Sequence, residues 1–242
     1  MNSSYKYNII KSDIKKQILS HELKKDDRVL SDTRICEKYH VSRITATKAI
    51  NDLVKEGYLY RIQGKGTFVN SLPISEEISS LCGFAERMKR QNLKLETRVL
   101  SCETVSVPKD MQSAFALPFE MKVIMLKRLR IVDGEPLCIS ISYLMPSIFY
   151  WVTGEDMEKE SLFNLLENKY THQLCNAIEE LEVGYLPLED AIYLNISADD
   201  PCLELTLYCY VDQNEAAMYE KTYYVKDKYK YRIQLGPGKS LL

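Results

Sequence analysis

The sequence lacks the long apolar segments of membrane proteins. No stretch of its 242 residues approaches the run of roughly 20 apolar residues that spans a bilayer. The first residues, 1–11, are polar and lack the apolar core of a signal peptide. At 45% hydrophobic and 27% charged residues, the composition is that of an ordinary water-soluble protein. These features predict a cytoplasmic protein.

The sequence also lacks a pattern of metal ligands. None of the three histidines is spaced to pair with another as a ligand. The seven cysteines are scattered and form no Cys-x-x-Cys motif, which argues against a zinc site and a disulfide framework. Most lie in apolar runs and are predicted to be small core residues. We expect neither a metal site nor a cofactor.

Charge is unevenly distributed along the chain. Residues 1–70 contain 14 Lys and Arg against eight Asp and Glu, a net charge of +6, whereas the remainder has 18 against 26, a net charge of −8. A basic N-terminal region followed by an acidic remainder suggests that a polyanion binds to the N-terminal region only.

The first 70 residues have the pattern of a winged helix-turn-helix. Apolar spacing predicts three helices and two short strands, at 8–21, 31–39, 42–56, 58–62 and 67–70. Ser31 and Ser42 are suited to cap the second and third helices, and Gly57 to end the third. Such a third helix enters the major groove of DNA. Its polar face offers Arg43, Thr47 and Lys48, and the glycines around Lys65 let the hairpin backbone approach a phosphate. The alternative is a solvated helix and an ordinary hairpin.

These residues resemble the DNA-binding domain of the GntR family. The matching segments are 27–31, 41–43, 49–57 and 63–69. The resemblance implies DNA contacts by Ser42, Arg43, Thr45, Thr47 and the wing of Gly64, Lys65 and Gly66. Two family arginines are replaced, one by Thr33 with Arg34 beside it and one by Thr47. Each loss removes a potential bidentate guanine contact, so the resemblance does not define the operator sequence.

The rest of the chain predicts a second domain of α+β type. Residues 71–79 are predicted to be a linker, which leaves a DNA-binding domain at 1–70 and a second domain at 80–242. Strand patterns at 96–107, 122–132, 137–144, 173–184, 202–211 and 217–226 alternate with short helical ones. We therefore expect a mixed, mostly antiparallel sheet with helices.

This second domain resembles the UTRA effector domain of HutC-type GntR regulators. The matching segments are 83–89, 126–130, 133–137, 142–144, 161–163 and 227–232. The resemblance implies a chorismate-lyase-like fold and a homodimer.

Arg128 and Arg130 mark a candidate effector site. They share one face of an apolar strand, where arginines are costly unless paired. They either clamp a phosphate or carboxylate or form salt bridges with surface acids. The resemblance favours the clamp, because sugar-phosphate-sensing UTRA domains bind the ligand anion at these positions. It places further contacts at Gly83 and Phe84, at Ser161 and at Tyr224.

The resemblance also places two sugar-binding carboxylates at Ser140 and Met218, neither of which is acidic. Glucosamine 6-phosphate and N-acetylglucosamine 6-phosphate are therefore expected to be weak ligands at most. Glu220 shares the strand face of Met218 and either reads a differently shaped ligand or is itself the family glutamate, aligned two residues away.

The residues and the resemblance together predict a DNA-binding repressor that a small phosphorylated effector, such as a sugar phosphate, releases from double-stranded operator DNA. The alternatives are an activator, a regulator that senses a non-sugar acid, or an enzyme. For an enzyme, no nucleophile–base pair or acid pair is visible in the sequence.

Overall fold

A computed structural model describes residues 3–20, 22–70, 74–77, 82–170, 172–211 and 215–232. The chain divides into two compact units, Met1–Pro73 and Ile74–Leu242.

The first unit has the predicted three helices and hairpin. Its elements are α1 (Ser3–Leu19), α2 (Asp32–Tyr39), α3 (Arg43–Lys55), β1 (Leu59–Ile62) and β2 (Gly66–Val69). The side-chain oxygens of Ser31 and Ser42 accept hydrogen bonds from backbone N–H groups in the first turns of α2 and α3. Gly57 follows α3 with a φ of 80°, which an L side chain rarely adopts. The apolar faces of all three helices bury one small core around Ile35 and Ile50.

The second unit is built on an antiparallel sheet of six strands: β4 (Leu95–Ser106), β5 (Lys122–Val132), β6 (Glu135–Leu144), β7 (Leu174–Gly184), β8 (Cys202–Val211) and β9 (Glu215–Val225). Their order across the sheet is β4-β5-β6-β9-β8-β7. The predicted α+β class, with a mostly antiparallel sheet, is confirmed.

Short helices flank this sheet: α4 (Phe84–Arg90), α5 (Lys109–Phe115), α6 (Pro146–Phe149), α7 (Leu162–Asn168) and α8 (Leu188–Ala191). The larger of two apolar cores contains Met88 of α4 and Leu165 of α7, packed with Leu126 and Leu207 of the sheet. The smaller core joins Leu129 and Ile139 to Ala191 of α8. Because successive residues of a strand face opposite sides, α4 and α7 cover the face to which Arg128 and Arg130 belong.

Two features differ from the sequence predictions. The predicted linker, 71–79, contains a strand, β3 (Ile74–Glu77), which pairs in parallel with β10 (Tyr229–Arg232). The pairing joins segments about 155 residues apart, beyond the reach of local sequence patterns. The cysteines were also expected to be mostly buried, yet only Cys138, Cys202 and Cys209 are. Apolar neighbours along the chain do not fix which face of an element a residue takes.

Candidate DNA interface and effector pocket

The N-terminal half of α3 presents the predicted DNA-contacting surface. Ser42, Arg43 and Lys48 are exposed, and the guanidinium of Arg43 forms no ion pair with any described residue. Arg34, in the first turn of α2, is also exposed. These cations are therefore available to a polyanion.

Two predicted contacts are held within the protein. The Thr47 hydroxyl donates to the Asp32 carboxylate at 2.9 Å and ties α3 to α2. The hydroxyls of Ser42 and Thr45 lie 2.9 Å apart and satisfy each other at the start of α3. Thr45 and Thr47 are both half-buried, so neither lies as open to DNA as Arg43.

Ile44 was missed by the sequence reasoning. Its side chain is 82% exposed on the outer face of α3, directly after Arg43. An apolar side chain on a recognition helix suits the methyl group of thymine. In the sequence, Ile44 falls outside the apolar stripe of α3, and this position could have identified it as a surface residue.

The wing is a tight hairpin whose conformation depends on glycine. Gly64 and Gly66 have φ values of 76° and 131°, and Lys65 is exposed between them. A Cβ at Gly66 would lie 3.0 Å from Nε of Arg28, whereas one at Gly64 would meet no atom within 4 Å. Arg28, which pairs with Phe68 in an isolated bridge, adds a cation at the base of the wing.

The second unit contains a pocket between its sheet and the first turns of α4 and α7. Seven of the nine predicted effector residues line it: Phe84, Arg128, Arg130, Ser140, Ser161, Glu220 and Tyr224. They come together because the pairings of β5, β6 and β9 place Arg128 opposite Ser140 and Ser140 opposite Thr222. Likewise, Arg130 lies opposite Cys138 of β6, and Cys138 lies opposite Tyr224 of β9.

The two arginines are buried and only partly satisfied. Arg130 donates to the Thr97 hydroxyl at 2.7 Å and lies over the Phe84 ring. Arg128 donates to Ser142 at 3.3 Å, and its Nη2 lies 3.6 Å from the Glu220 carboxylate. The Nε atoms of both arginines, and Oγ of Ser140, find no hydrogen-bond partner in the described part of the chain.

The alternative to an anion clamp was that Arg128 and Arg130 form salt bridges with acids on the protein surface. Their contacts differ from that arrangement. Arg128 and Arg130 are 3% and 6% exposed, and the acid nearest Arg128 lines the pocket itself. Burial lowers the pKa of Arg128 to about 9, with a further contribution from Arg130. Burial likewise lowers the pKa of Arg130. An anion held between them would offset the cost of two buried cations.

Two predicted effector residues lie outside the pocket lining. Met218 is buried in the larger apolar core, opposite Leu144 and Cys209. Gly83 caps α4, and a Cβ there would meet Phe163 and Ser161 at 3.1 and 3.2 Å. Gly83 therefore permits close packing of α4 against the start of α7. Met218 therefore does not line this pocket, whereas Glu220 does.

The pocket also includes residues that sequence reasoning did not identify: Ala85, Arg87, Cys138, Leu162, Phe163, Glu179, Leu205, Leu207 and Thr222. Thr222 lies between Glu220 and Tyr224 in the alternation of β9, so its position was accessible from the sequence. Glu179 was not, because nothing local shows that β7 lies beside β8.

Over the residues described, no group of three or more His, Cys, Asp and Glu side chains is placed to hold a metal ion. Within those same ranges, no helix has the length and apolar character needed to traverse a bilayer.

Comparison with known families matches both units. The model of the bacterial regulatory proteins of the gntR family matches residues 6–69, and the UTRA domain model matches residues 90–230. YurK, an uncharacterized HTH-type transcriptional regulator of Bacillus subtilis, is 32% identical over 197 residues, which cover 81% of this chain and 80% of YurK.

Two named repressors and one crystal structure are also similar. NagR of Bacillus subtilis is 25% identical, covering 93% of this chain and 92% of NagR. MngR of Escherichia coli, the mannosyl-D-glycerate transport/metabolism system repressor, is 25% identical, covering 94% of each chain. The crystal structure of PhnF from Mycobacterium smegmatis has a TM-score of 0.76 at 15% identity, covering 94% of this chain and 99% of PhnF, and shows the same fold.

Proposed function

Because the chain belongs to the GntR family of bacterial regulatory proteins and carries a UTRA domain, we propose that it is a repressor released from its operator by a sugar phosphate. The chain is a DNA-binding transcription regulator and not an enzyme. Relatives such as MngR are named as repressors of sugar-related systems. This supports a sugar-derived effector.

One observation carries the phosphate assignment: Arg128 and Arg130 are buried in one pocket with unsatisfied Nε donors, beside the unsatisfied hydroxyl of Ser140. Buried polar groups are normally hydrogen-bonded. Three such donors on residues that line one pocket suit the several oxygens of a phosphate, which accept charge-assisted hydrogen bonds from arginine. The effector then favours a conformation that binds operator weakly, and operator affinity falls by linkage.

The test compares hexose 6-phosphates with their unphosphorylated parents. Calorimetry should detect binding of a phosphorylated sugar alone, and the same sugar should release labelled operator DNA. Arg128→Met and Arg130→Met should abolish the binding. Arg98→Met, on the exposed side of β4, is the matched control and should bind normally. A neutral sugar that binds as tightly as its phosphate would refute the assignment.

Amino sugar 6-phosphates remain poor candidates under this proposal. Glu220 lines the pocket and can supply one carboxylate, but Ser140 offers only a hydroxyl. Replacing a charged hydrogen-bond partner costs about 1.5–3 kcal/mol. Low-micromolar binding of glucosamine 6-phosphate by calorimetry would show that this expectation is wrong.

We also propose that the second domain forms the homodimer that a two-fold symmetric operator requires. Exposed apolar side chains concentrate along β7, α8 and the residues that adjoin them: Ile178, Leu181, Val183, Tyr185, Leu188, Ile192 and Tyr193. Such concentrations on a surface indicate an interaction site. β7 is also an edge strand of the sheet, and a second copy would cover it.

A further inference from the structure

The pocket lining carries two carboxylates, and Glu179 lies on the strand farther from the arginines. Glu179 of β7 and Glu220 of β9 both pair with Leu207 of β8 in the register of the sheet. The three side chains therefore stand in one row on the face that lines the pocket, with a carboxylate on each side of Leu207.

The charges of both carboxylates reach the interior beside Leu207. Cys209 is the next residue along the same face of β8, and its thiol is fully buried. Burial raises the pKa of this thiol, and the charges of Glu220 and Glu179 raise it further. The charges of both carboxylates therefore act on the buried Cys209 thiol.

Among the described residues, only one of these two carboxylates forms an ion pair. Glu220 lies 3.6 Å from Arg128 and accepts a hydrogen bond from the Ser142 hydroxyl. Glu179 accepts a hydrogen bond of 2.5 Å from the neutral Tyr231 hydroxyl. Across the ranges that the structure describes, Glu179 forms no ion pair. A half-buried carboxylate without an ion-pair partner is available to a cationic group of a ligand.

We propose that Glu179 is a specificity-determining residue that binds a protonated amine of the effector, remote from the effector's anion. This inference rests on the proposed anion site at Arg128 and Arg130. Four strand spacings of about 4.8 Å separate β5 from β7, and the side chains reach inward from both. The ligand's anion and amine are therefore on the order of 10 Å apart. Apolar Leu205, Leu207 and Phe163 line the space between these ends.

The test measures binding of 6-aminohexyl phosphate, hexyl phosphate and 6-amino-1-hexanol to the full-length protein by calorimetry. The six-carbon chain spans a distance of this order and carries no sugar-specific contacts. The wild-type protein should bind the aminoalkyl phosphate roughly tenfold or more tightly than hexyl phosphate, as expected for one charge-assisted hydrogen bond.

Two matched variants assign this preference to one side chain. Glu179→Gln removes the charge but keeps an oxygen that accepts the Tyr231 hydroxyl, and it should bring the affinity ratio of the two phosphates close to one. Glu180→Gln is the control, because Glu180 accepts the Tyr208 hydroxyl in the same manner but is exposed on the opposite face. It should leave the ratio unchanged.

The outcomes separate this inference from the proposed function. If hexyl phosphate binds as tightly as the aminoalkyl phosphate, or if the preference survives Glu179→Gln, the amine assignment is wrong and the anion site stands. If 6-amino-1-hexanol binds as tightly as the phosphates, or if neither phosphate binds, the anion site fails and the inference fails with it.

Discussion

Arg43 is the exposed cation at the start of α3, and it makes no ion pair with the described part of the protein. We predict that Arg43→Ala abolishes sequence-specific operator binding, because a base contact in the major groove contributes about 1–3 kcal/mol of discrimination. Footprinting of the operator, with circular dichroism to confirm the fold, measures the effect.

Lys55→Ala is the control for that variant, since Lys55 is 80% exposed at the far end of α3. It should change operator affinity little. An Arg43→Ala protein that still protects the operator would show that α3 does not read DNA through this residue.

Arg130 is expected to serve effector binding without stabilising the folded protein. Burial lowers its pKa, and the charge of Glu220 offsets this only in part, so the folded protein disfavours the charged form. Arg130→Met should therefore leave the free energy of unfolding unchanged or raise it by about 1 kcal/mol or more, while effector binding is lost. Urea unfolding of both proteins without effector measures this.

Arg98→Met again provides the comparison, because Arg98 is exposed and surface changes alter stability by about 0.5 kcal/mol or less. A clear loss of stability in Arg130→Met would indicate that Arg130 is a structural residue and not an anion ligand.

At the scale of elements, the wing separates two roles of glycine. Gly66 combines a φ of 131° with a neighbouring Arg28 side chain, whereas Gly64 has a φ of 76° and open space around it. We predict that Gly66→Ala destabilises the first unit by about 1–3 kcal/mol through backbone strain. Gly64→Asn should keep the stability, because asparagine tolerates the left-handed region, but should weaken operator binding.

Thermal unfolding and operator affinity, measured on both variants, distinguish these roles. The stability of Gly64→Asn serves as the control for the strain in Gly66→Ala. If Gly64→Asn binds operator as well as the wild-type protein, the wing does not approach the DNA backbone at this residue.

Buried polar residues in the sheet of the second unit support the proposed effector site. In its central strands, Arg128, Ser140 and Thr222 lie in one buried row. Buried polar groups are costly unless they are satisfied, so a row of them beneath α4 and α7 indicates a ligand site.

For the whole molecule, the proposed homodimer sets how DNA is bound. Two copies of the 28.1 kDa chain would place paired recognition helices on a two-fold operator. We predict that Val183→Glu, which places a charge at a side chain that is 67% exposed, shifts the mass in light scattering from dimer towards monomer. It should also weaken binding to a two-fold site more than to a half-site.

Phe119→Glu is the control for assembly, because Phe119 is 75% exposed outside this apolar surface. It should remain dimeric. A dimer that survives substitutions at both Val183 and Ile192 would place the interface elsewhere.

The sequence alone determined the local architecture and the family. The helices of the first unit follow from apolar spacing, and their starts from the capping serines Ser31 and Ser42, because these signals act within one or two turns. The hairpin follows from its glycines, which adopt positive φ angles at no steric cost. The shared face of Arg128 and Arg130 follows from strand alternation.

The tertiary structure alone decided which side chains join those arginines. Met218 and Glu220 are two residues apart and share a strand face, so alternation cannot distinguish them. A shift of two residues changes the cross-strand partners without changing the face. Only the pairing of β9 with β6 and β8 brings Glu220 to the pocket, and only the pairing of β7 with β8 adds Glu179. Strand order depends on contacts between distant segments, which no local pattern of residues encodes.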